Sequence, residues 1–137
     1  MSVVVDASVA VKWLIPEEGS DAAKRLIADE ILVAPDLLFA ECVNVLGTKT
    51  RRGDLTAMFA EEALAVLESV PIRSVAARLH IRAAYAVASE LDRSAYDALY
   101  LAVAPAERAT LVTADATFAA AALAHPVYRA SLRLLET

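Results

Sequence analysis

Apolar positions along the chain alternate between short solid runs and longer stripes at helical spacing. Val3-Val4-Val5, Ile31-Leu32-Val33-Ala34 and Thr110-Leu111-Val112-Thr113 read as buried strands, the first stopping at Asp6 and the second at Pro35. Residues 71–75 form a weaker strand suited to a sheet edge, and residues 126–135 read as a final strand with short helical alternatives. Helices are predicted over 7–14, over 21–30 behind a Ser20 cap, and over 36–52 up to Gly53. Asp54 is expected to cap the next helix, whose apolar stripe is Leu55, Met58, Phe59, Ala63, Val66 and Leu67. Residues 76–91 read as helical. Ser94 opens a helix over 95–104 in a capping box with Asp97, and Asp115 starts one over 116–124. Strands alternating with helices imply an α/β fold, a parallel sheet covered on both faces, with ligands bound beyond the carboxyl ends of the strands. Asp6 and Asp115 are expected at such ends.

The 137 residues suit one domain over 1–137. Hydrophobic residues make up 58% and mean hydropathy is +0.50, yet no apolar run reaches the roughly 18 residues needed to span a bilayer. No membrane association is expected. The start, Met-Ser-Val-Val-Val-Asp, does not read as a signal peptide, and the single Cys42 has no disulfide partner within the chain; both point to the cytoplasm. A net charge of −5 argues against a general nucleic-acid coat protein. It leaves room for an enzyme that grips phosphate locally, because divalent cations invert the field of an acidic pocket.

Four acids stand out. Asp6 reads equally as a helix cap and as a metal ligand at a strand end. Glu41 lies within Leu37-Leu38-Phe39-Ala40-Glu41-Cys42-Val43, where an ionised carboxylate needs a partner or a cation. Alternatively it belongs to a polar stripe with Asn44 and Thr48. Asp97 has a capping role available, but its helix is apolar almost all round. Asp115 is a cap or a loop ligand. Four acids on four elements, three flanked by apolar segments, suit a hard divalent ion such as Mg²⁺ or Mn²⁺.

The motifs around these acids carry a resemblance. Val-Val-Asp6-Ala-Ser8-Val-Ala-Val-Lys12-Trp13-Leu, followed by Pro16-Glu17-Glu18, resembles the opening of VapC-type toxin nucleases, which are PIN domains. Glu41-Cys-Val-Asn44-Val-Leu, Tyr96-Asp97-Ala-Leu-Tyr100-Leu-Ala and Leu111-Val-Thr113-Ala-Asp115-Ala-Thr-Phe118 resemble the later motifs, in order and over essentially the whole chain. The resemblance implies a three-layer α/β/α, Rossmann-like domain with a central, mainly parallel sheet. It implies an Mg²⁺- or Mn²⁺-dependent endoribonuclease, the toxin of a type II toxin–antitoxin system, cutting structured RNA such as tRNA or rRNA. It also implies a cognate VapB-type antitoxin and a homodimer. By position, Asp6 and Asp97 become primary metal ligands, Glu41 and Asp115 complete the catalytic acids, and Ser8 and Thr113 orient carboxylates with Asn44 beside Glu41. Capping and turn hydrogen bonds are an equal alternative for the two hydroxyls. Gly47-Thr48 and Pro105 depart from the family pattern.

Cleavage through metal-activated water would leave 5′-phosphate and 3′-hydroxyl ends. Lys12, Lys49, Arg51 and Arg52 are the first candidates for holding flanking phosphates, with Arg78, Arg82 and Arg93 behind them; about half are expected only to be solvated surface charges. His80 and His125 have no suitable neighbours for metal-free cleavage. Trp13 is expected in the core or a dimer contact rather than on a base, and Cys42 as a buried apolar residue. Three other readings compete: a receiver-like phosphoacceptor, a haloacid-dehalogenase-like phosphatase, and a catalytically silent PIN-type binding module. Asp6 lacks the paired acid a receiver needs, Ser8 stands where the phosphatase needs a second Asp, and the presence of all four acids argues against the silent module.

Overall fold

In the computed structural model, which describes residues 1–137, five parallel strands form one sheet in the order β3-β2-β1-β4-β5. Their ranges are β1 Ser2–Val5, β2 Ile31–Pro35, β3 Ile72–Val75, β4 Thr110–Thr113 and β5 Leu132–Leu134. Val3 pairs with Leu32 on one side of β1, and Val5 with Val112 on the other. These central strands are solid Val/Leu runs because both faces are covered; Val4, Val5, Val33, Leu111 and Val112 are fully buried. The weaker run at 72–75 takes the edge, as its composition predicts.

The helices are α1 Ala7–Leu14, α2 Ser20–Asp29, α3 Leu37–Arg51, α4 Ala57–Ser69, α5 Ile81–Leu91, α6 Ala95–Ala106 and α7 Ala116–Leu123. The chain winds from β1 through β2 to β3, then returns past β1 to β4. Right-handed crossovers therefore put α1–α4 on one face and α5–α7 on the other. Contacts agree: α1 packs on α2, α3 and α4, while α6 packs on α5, β1, β2 and β4. The strand order reverses between β1 and β4, and a crevice opens there beyond the carboxyl ends. The segments leaving those two strands carry Asp6 and Asp115.

Several local details differ from the sequence expectations. Gly19, at φ +87°, caps α2, and Ser20 lies inside the helix. The Ser20 hydroxyl accepts from Glu17 N and donates to Ile15 O, tying the incoming loop instead. Asp54 does not cap α4. Gly53, at φ +83°, turns the chain out of α3, and Asp54 N donates to Lys49 O within that exit turn. The cap falls to Thr56, whose hydroxyl accepts from Phe59 N at 3.0 Å. Of the predicted α4 stripe only Ala63 and Leu67 are buried; Met58 is 74% exposed. The 76–91 stretch divides into a 3₁₀ turn over Ala77–His80 and α5. Pro105 lies in the last turn of α6, which runs one residue past it.

Candidate active site

Asp6 ends β1 and caps α1, accepting from Val9 N at 3.3 Å through Oδ1. Ser8 Oγ donates to the same oxygen at 2.5 Å, and Thr113 Oγ1 donates to Oδ2 at 2.5 Å. Cap and oriented carboxylate are therefore one arrangement rather than alternatives. The carboxyl is 6% exposed. Burial drives its pKa up to about 6; the Ser8, Thr113 and Val9 hydrogen bonds restrain the rise, and the Asp97 charge adds to it.

Thr113 and Ser8 also brace the segment that leaves β4, Ser8 doing so from the first turn of α1. Thr113 Oγ1 accepts from Asp115 N at 3.1 Å, and Ser8 Oγ accepts from Ala114 N at 2.9 Å. Asp115 caps α7 through Oδ1, which accepts from Thr117 N and Phe118 N, both at 3.0 Å. Its Oδ2 faces outward to Arg93 Nη2 at 3.4 Å.

Glu41 lies on the second turn of α3 and is half-buried. The hydroxyl of Tyr100, from α6 on the opposite face, donates to Glu41 Oε1. Burial raises the Glu41 pKa, the Tyr100 hydrogen bond lowers it, and Asp97 raises it again. With Asn44, Ala7, Leu37 and Tyr96, Glu41 lines a cavity of about 420 Å³. Asn44 is exposed on that wall.

Asp97 enters from the first turn of α6, where its backbone N–H donates to Ser94 Oγ at 3.2 Å. Only this half of the expected capping box forms. The Asp97 carboxylate turns instead to Arg93 Nη2 at 2.7 Å. Asp97 lies near enough to Asp6 and Glu41 for its charge to add, after burial, to the rise of each. Asp115 joins through Arg93. No three of the acids approach closely enough to enclose an ion between them. The donor chemistry nevertheless fits a hard divalent cation: the donors are carboxylate oxygens, the Asp97 charge acts on both Asp6 and Glu41, and those two are fixed by hydroxyls.

The basic residues lie mostly elsewhere. Lys12 Nζ donates to Glu18 O at 2.6 Å and pairs with Glu17 at 3.3 Å, pinning the α1–α2 loop. Lys49, Arg51 and Arg52 sit at the far end of α3, roughly 12–16 Å from Glu41 at about 1.5 Å rise per residue. Arg51 lies over Gly47 and bonds Thr48 Oγ1 at 3.3 Å. Arg78 and Arg82 are exposed on the 3₁₀ turn and α5. Trp13 is in the core, its Nε1 donating to Ala23 O at 2.8 Å. Cys42 is fully buried and its thiol is pushed up to about 12, chiefly by burial. His125 stacks on Tyr128 and approaches Glu90 at 3.6 Å.

Sequence reasoning passed over Tyr100 and placed Arg93 only among reserve phosphate contacts. A signal for Tyr100 was present: it stands three residues after Asp97, on the same helix face. Arg93 stands four before Asp97, but its pairing with Asp115 joins residues 22 apart in the chain.

Comparison with known proteins places this geometry in context. The sequence model of the PIN domain matches residues 3–123. The chain is 32% identical over 120 residues to Ribonuclease VapC3 of Pyrobaculum aerophilum, covering 84% of this chain and 90% of that protein. The crystal structure of Mycobacterium tuberculosis VapC20, a toxin that cleaves the sarcin–ricin loop, superposes with a TM-score of 0.64 at 24% identity, over 87% of this chain and 94% of that one. Rickettsia felis VapBC2, bound to a promoter DNA fragment, gives a TM-score of 0.68 at 17% identity, over 99% of this chain and 100% of that one.

Proposed function

The chain belongs to the PIN-domain family, among its VapC-type ribonucleases, and from that premise we propose that it is a divalent-metal-dependent endoribonuclease acting as the toxin of a type II toxin–antitoxin pair. The observation that carries the reading is the carboxylate set at the switch point of the sheet: Ser8 and Thr113 hold both oxygens of Asp6, Tyr100 holds Glu41, and Arg93 joins Asp97 to Asp115. Asp6 and Asp97 are the proposed primary holders of Mg²⁺ or Mn²⁺, with Glu41 and Asp115 completing the site. When bound, the ion supplies Lewis acidity to the phosphodiester and lowers the pKa of water.

The chain's own residues then have distinct tasks. Ser8 and Thr113 aim both oxygens of Asp6 and keep it ionised against its burial. Tyr100 occupies Glu41 Oε1, leaving Oε2 to take a proton from the attacking water; a raised carboxylate pKa favours that role. Products are 5′-phosphate and 3′-hydroxyl ends. The RNA substrate is structured, of the tRNA or rRNA kind.

The proposed partners are a VapB-type antitoxin and a second copy of the chain. An apolar groove of about 590 Å³ between the start of α3, α5 and α6 supports the first. It shares Leu37 and Tyr96 with the Glu41 cavity, so a peptide seated in it lies beside Glu41. No helix is long and apolar enough to cross a membrane.

The test is cleavage of total RNA by the purified protein with Mn²⁺, then with EDTA, followed by mapping of the new ends. Cutting that stops in EDTA and leaves 5′-phosphates supports the reading. Intact RNA with every metal tried, or cutting that ignores EDTA, overturns it.

A further inference from the structure

The connection between α5 and α6 is three residues long, and its middle residue reaches into the acidic site. Asp92, at φ 51°, ends α5 in the left-handed region, and Ser94 caps α6. Arg93, held between them, has little backbone freedom. Its Nη2 lies 2.7 Å from Asp97 Oδ2 and 3.4 Å from Asp115 Oδ2. The guanidinium carbon sits 5.3 Å from the centre of the fully buried Phe118 ring. The Nε–H is buried with no acceptor.

This geometry is not that of a general surface cation. The side chain is only 21% exposed, against 33% for Asp97 and 39% for Asp115. An ordinary solvated arginine would satisfy all its N–H groups; this one leaves Nε unpaired while a single nitrogen serves both carboxylates. The acids it serves come from two different elements, Asp97 from the first turn of α6 and Asp115 from the cap of α7, and Arg93 is the contact that joins them. Asp115 Oδ1 is committed to the α7 cap, so Oδ2 is its one oxygen free for a ligand, and Arg93 faces it.

We infer that Arg93 is a built-in, displaceable counter-cation of the acidic site. It neutralises Asp97 and Asp115 when no divalent ion is bound, and it cedes Asp97 when one enters. This rests on the acids being the cation site proposed above. The physical consequence is competition. An ion arriving at Asp97 must first break a charge-assisted hydrogen bond, so the protein binds divalent metal more weakly than its carboxylates alone would. In return, the metal-free fold tolerates several neighbouring carboxylates without a bound ion. Arg93 is thus a positioning residue acting on Asp97, and its effect appears in metal affinity independently of any turnover.

The experiment is a Mn²⁺ titration at low salt, followed by electron paramagnetic resonance of the free ion, on the parent protein and Arg93→Gln. Circular dichroism in EDTA checks the fold. Breaking one charge-assisted bond corresponds to about a tenfold change, so Arg93→Gln is expected to bind Mn²⁺ about tenfold more tightly. Equal or weaker binding by a folded Arg93→Gln overturns the inference while leaving the nuclease reading standing. Absence of Mn²⁺ binding in both proteins removes the cation site itself, and both readings fall. If Arg93→Gln does not fold, Arg93→Lys decides. It keeps the charge but loses the planar fork, and about threefold tighter binding than the parent is expected; equal or weaker binding overturns the inference.

Discussion

Thr113 Oγ1 donates to Asp6 Oδ2 at 2.5 Å across the seam between β4 and β1, joining residues 107 apart in the chain. The threonine is fully buried, so the contact is protected from water. Thr113→Val keeps the shape and removes the donor. A bond to a charged group contributes about 1.5–3 kcal/mol, so the metal-free protein should lose roughly 2 kcal/mol in denaturant titration. Asp6 should titrate higher than its present value of about 6, because a bond that favours the ionised form is gone. The pH midpoint of Mn²⁺ binding should rise with it; an unmoved midpoint would mean that Thr113 acts only as a strap between strands.

Asp6 also sets a pH dependence. Its folded pKa of about 6 lies above the ordinary 3.8, so the folded state holds this proton more tightly than the unfolded state. The resulting stabilisation is fully present below 3.8 and is lost as pH rises through about 6. In EDTA, the protein should therefore gain on the order of 1–3 kcal/mol between pH 7 and pH 4 from this group. Asp6→Asn should flatten that slope, as read by urea unfolding at a series of pH values. With Mn²⁺ present the trend reverses, because the cation favours the ionised carboxylate.

Asp97→Asn should abolish metal-dependent RNA cleavage with little change in the metal-free melting temperature. The Ser94 cap bonds the backbone N–H of residue 97 and survives the change. Losing the Arg93 pair opposes the relief of repulsion on Asp6 and Glu41. Both of those carboxyls should titrate closer to ordinary values, which carbon-detected NMR would show. A large fall in melting temperature would assign Asp97 a structural role instead.

Tyr100→Phe tests the opposite wall. The Tyr100 ring is buried in α6, so Phe fills the same space and the fold should hold to within about 1–2 kcal/mol. Glu41 loses its donor and should titrate higher. Cleavage should fall about tenfold or more near pH 6 and recover partly as pH rises, since higher pH restores the ionised carboxylate. A rate loss independent of pH would point to lost geometry rather than lost ionisation.

Much of the architecture was legible along the chain. The valine run ending at Asp6 and the 110–113 run ending near Asp115 marked strand ends, because strands buried on both faces need solid apolar stretches and a polar residue stops them. Details governed by competition were not legible. Asp54 and Thr56 are both good caps, and the Gly53 exit turn decided between them by absorbing Asp54 into the end of α3. The α4 stripe had helical spacing, yet Met58 faces outward, because spacing defines a face and the neighbouring helices decide how much of it is covered.

By itself, the order of residues determined which acids terminate strands, which open helices, and which family's pattern they share, since each depends on local spacing and residue type. The tertiary structure alone decided that Tyr100 meets Glu41, that Thr113 meets Asp6, and that Arg93 stands between Asp97 and Asp115. Those contacts arise where the sheet reverses direction and brings distant segments together, and no local periodicity carries that information.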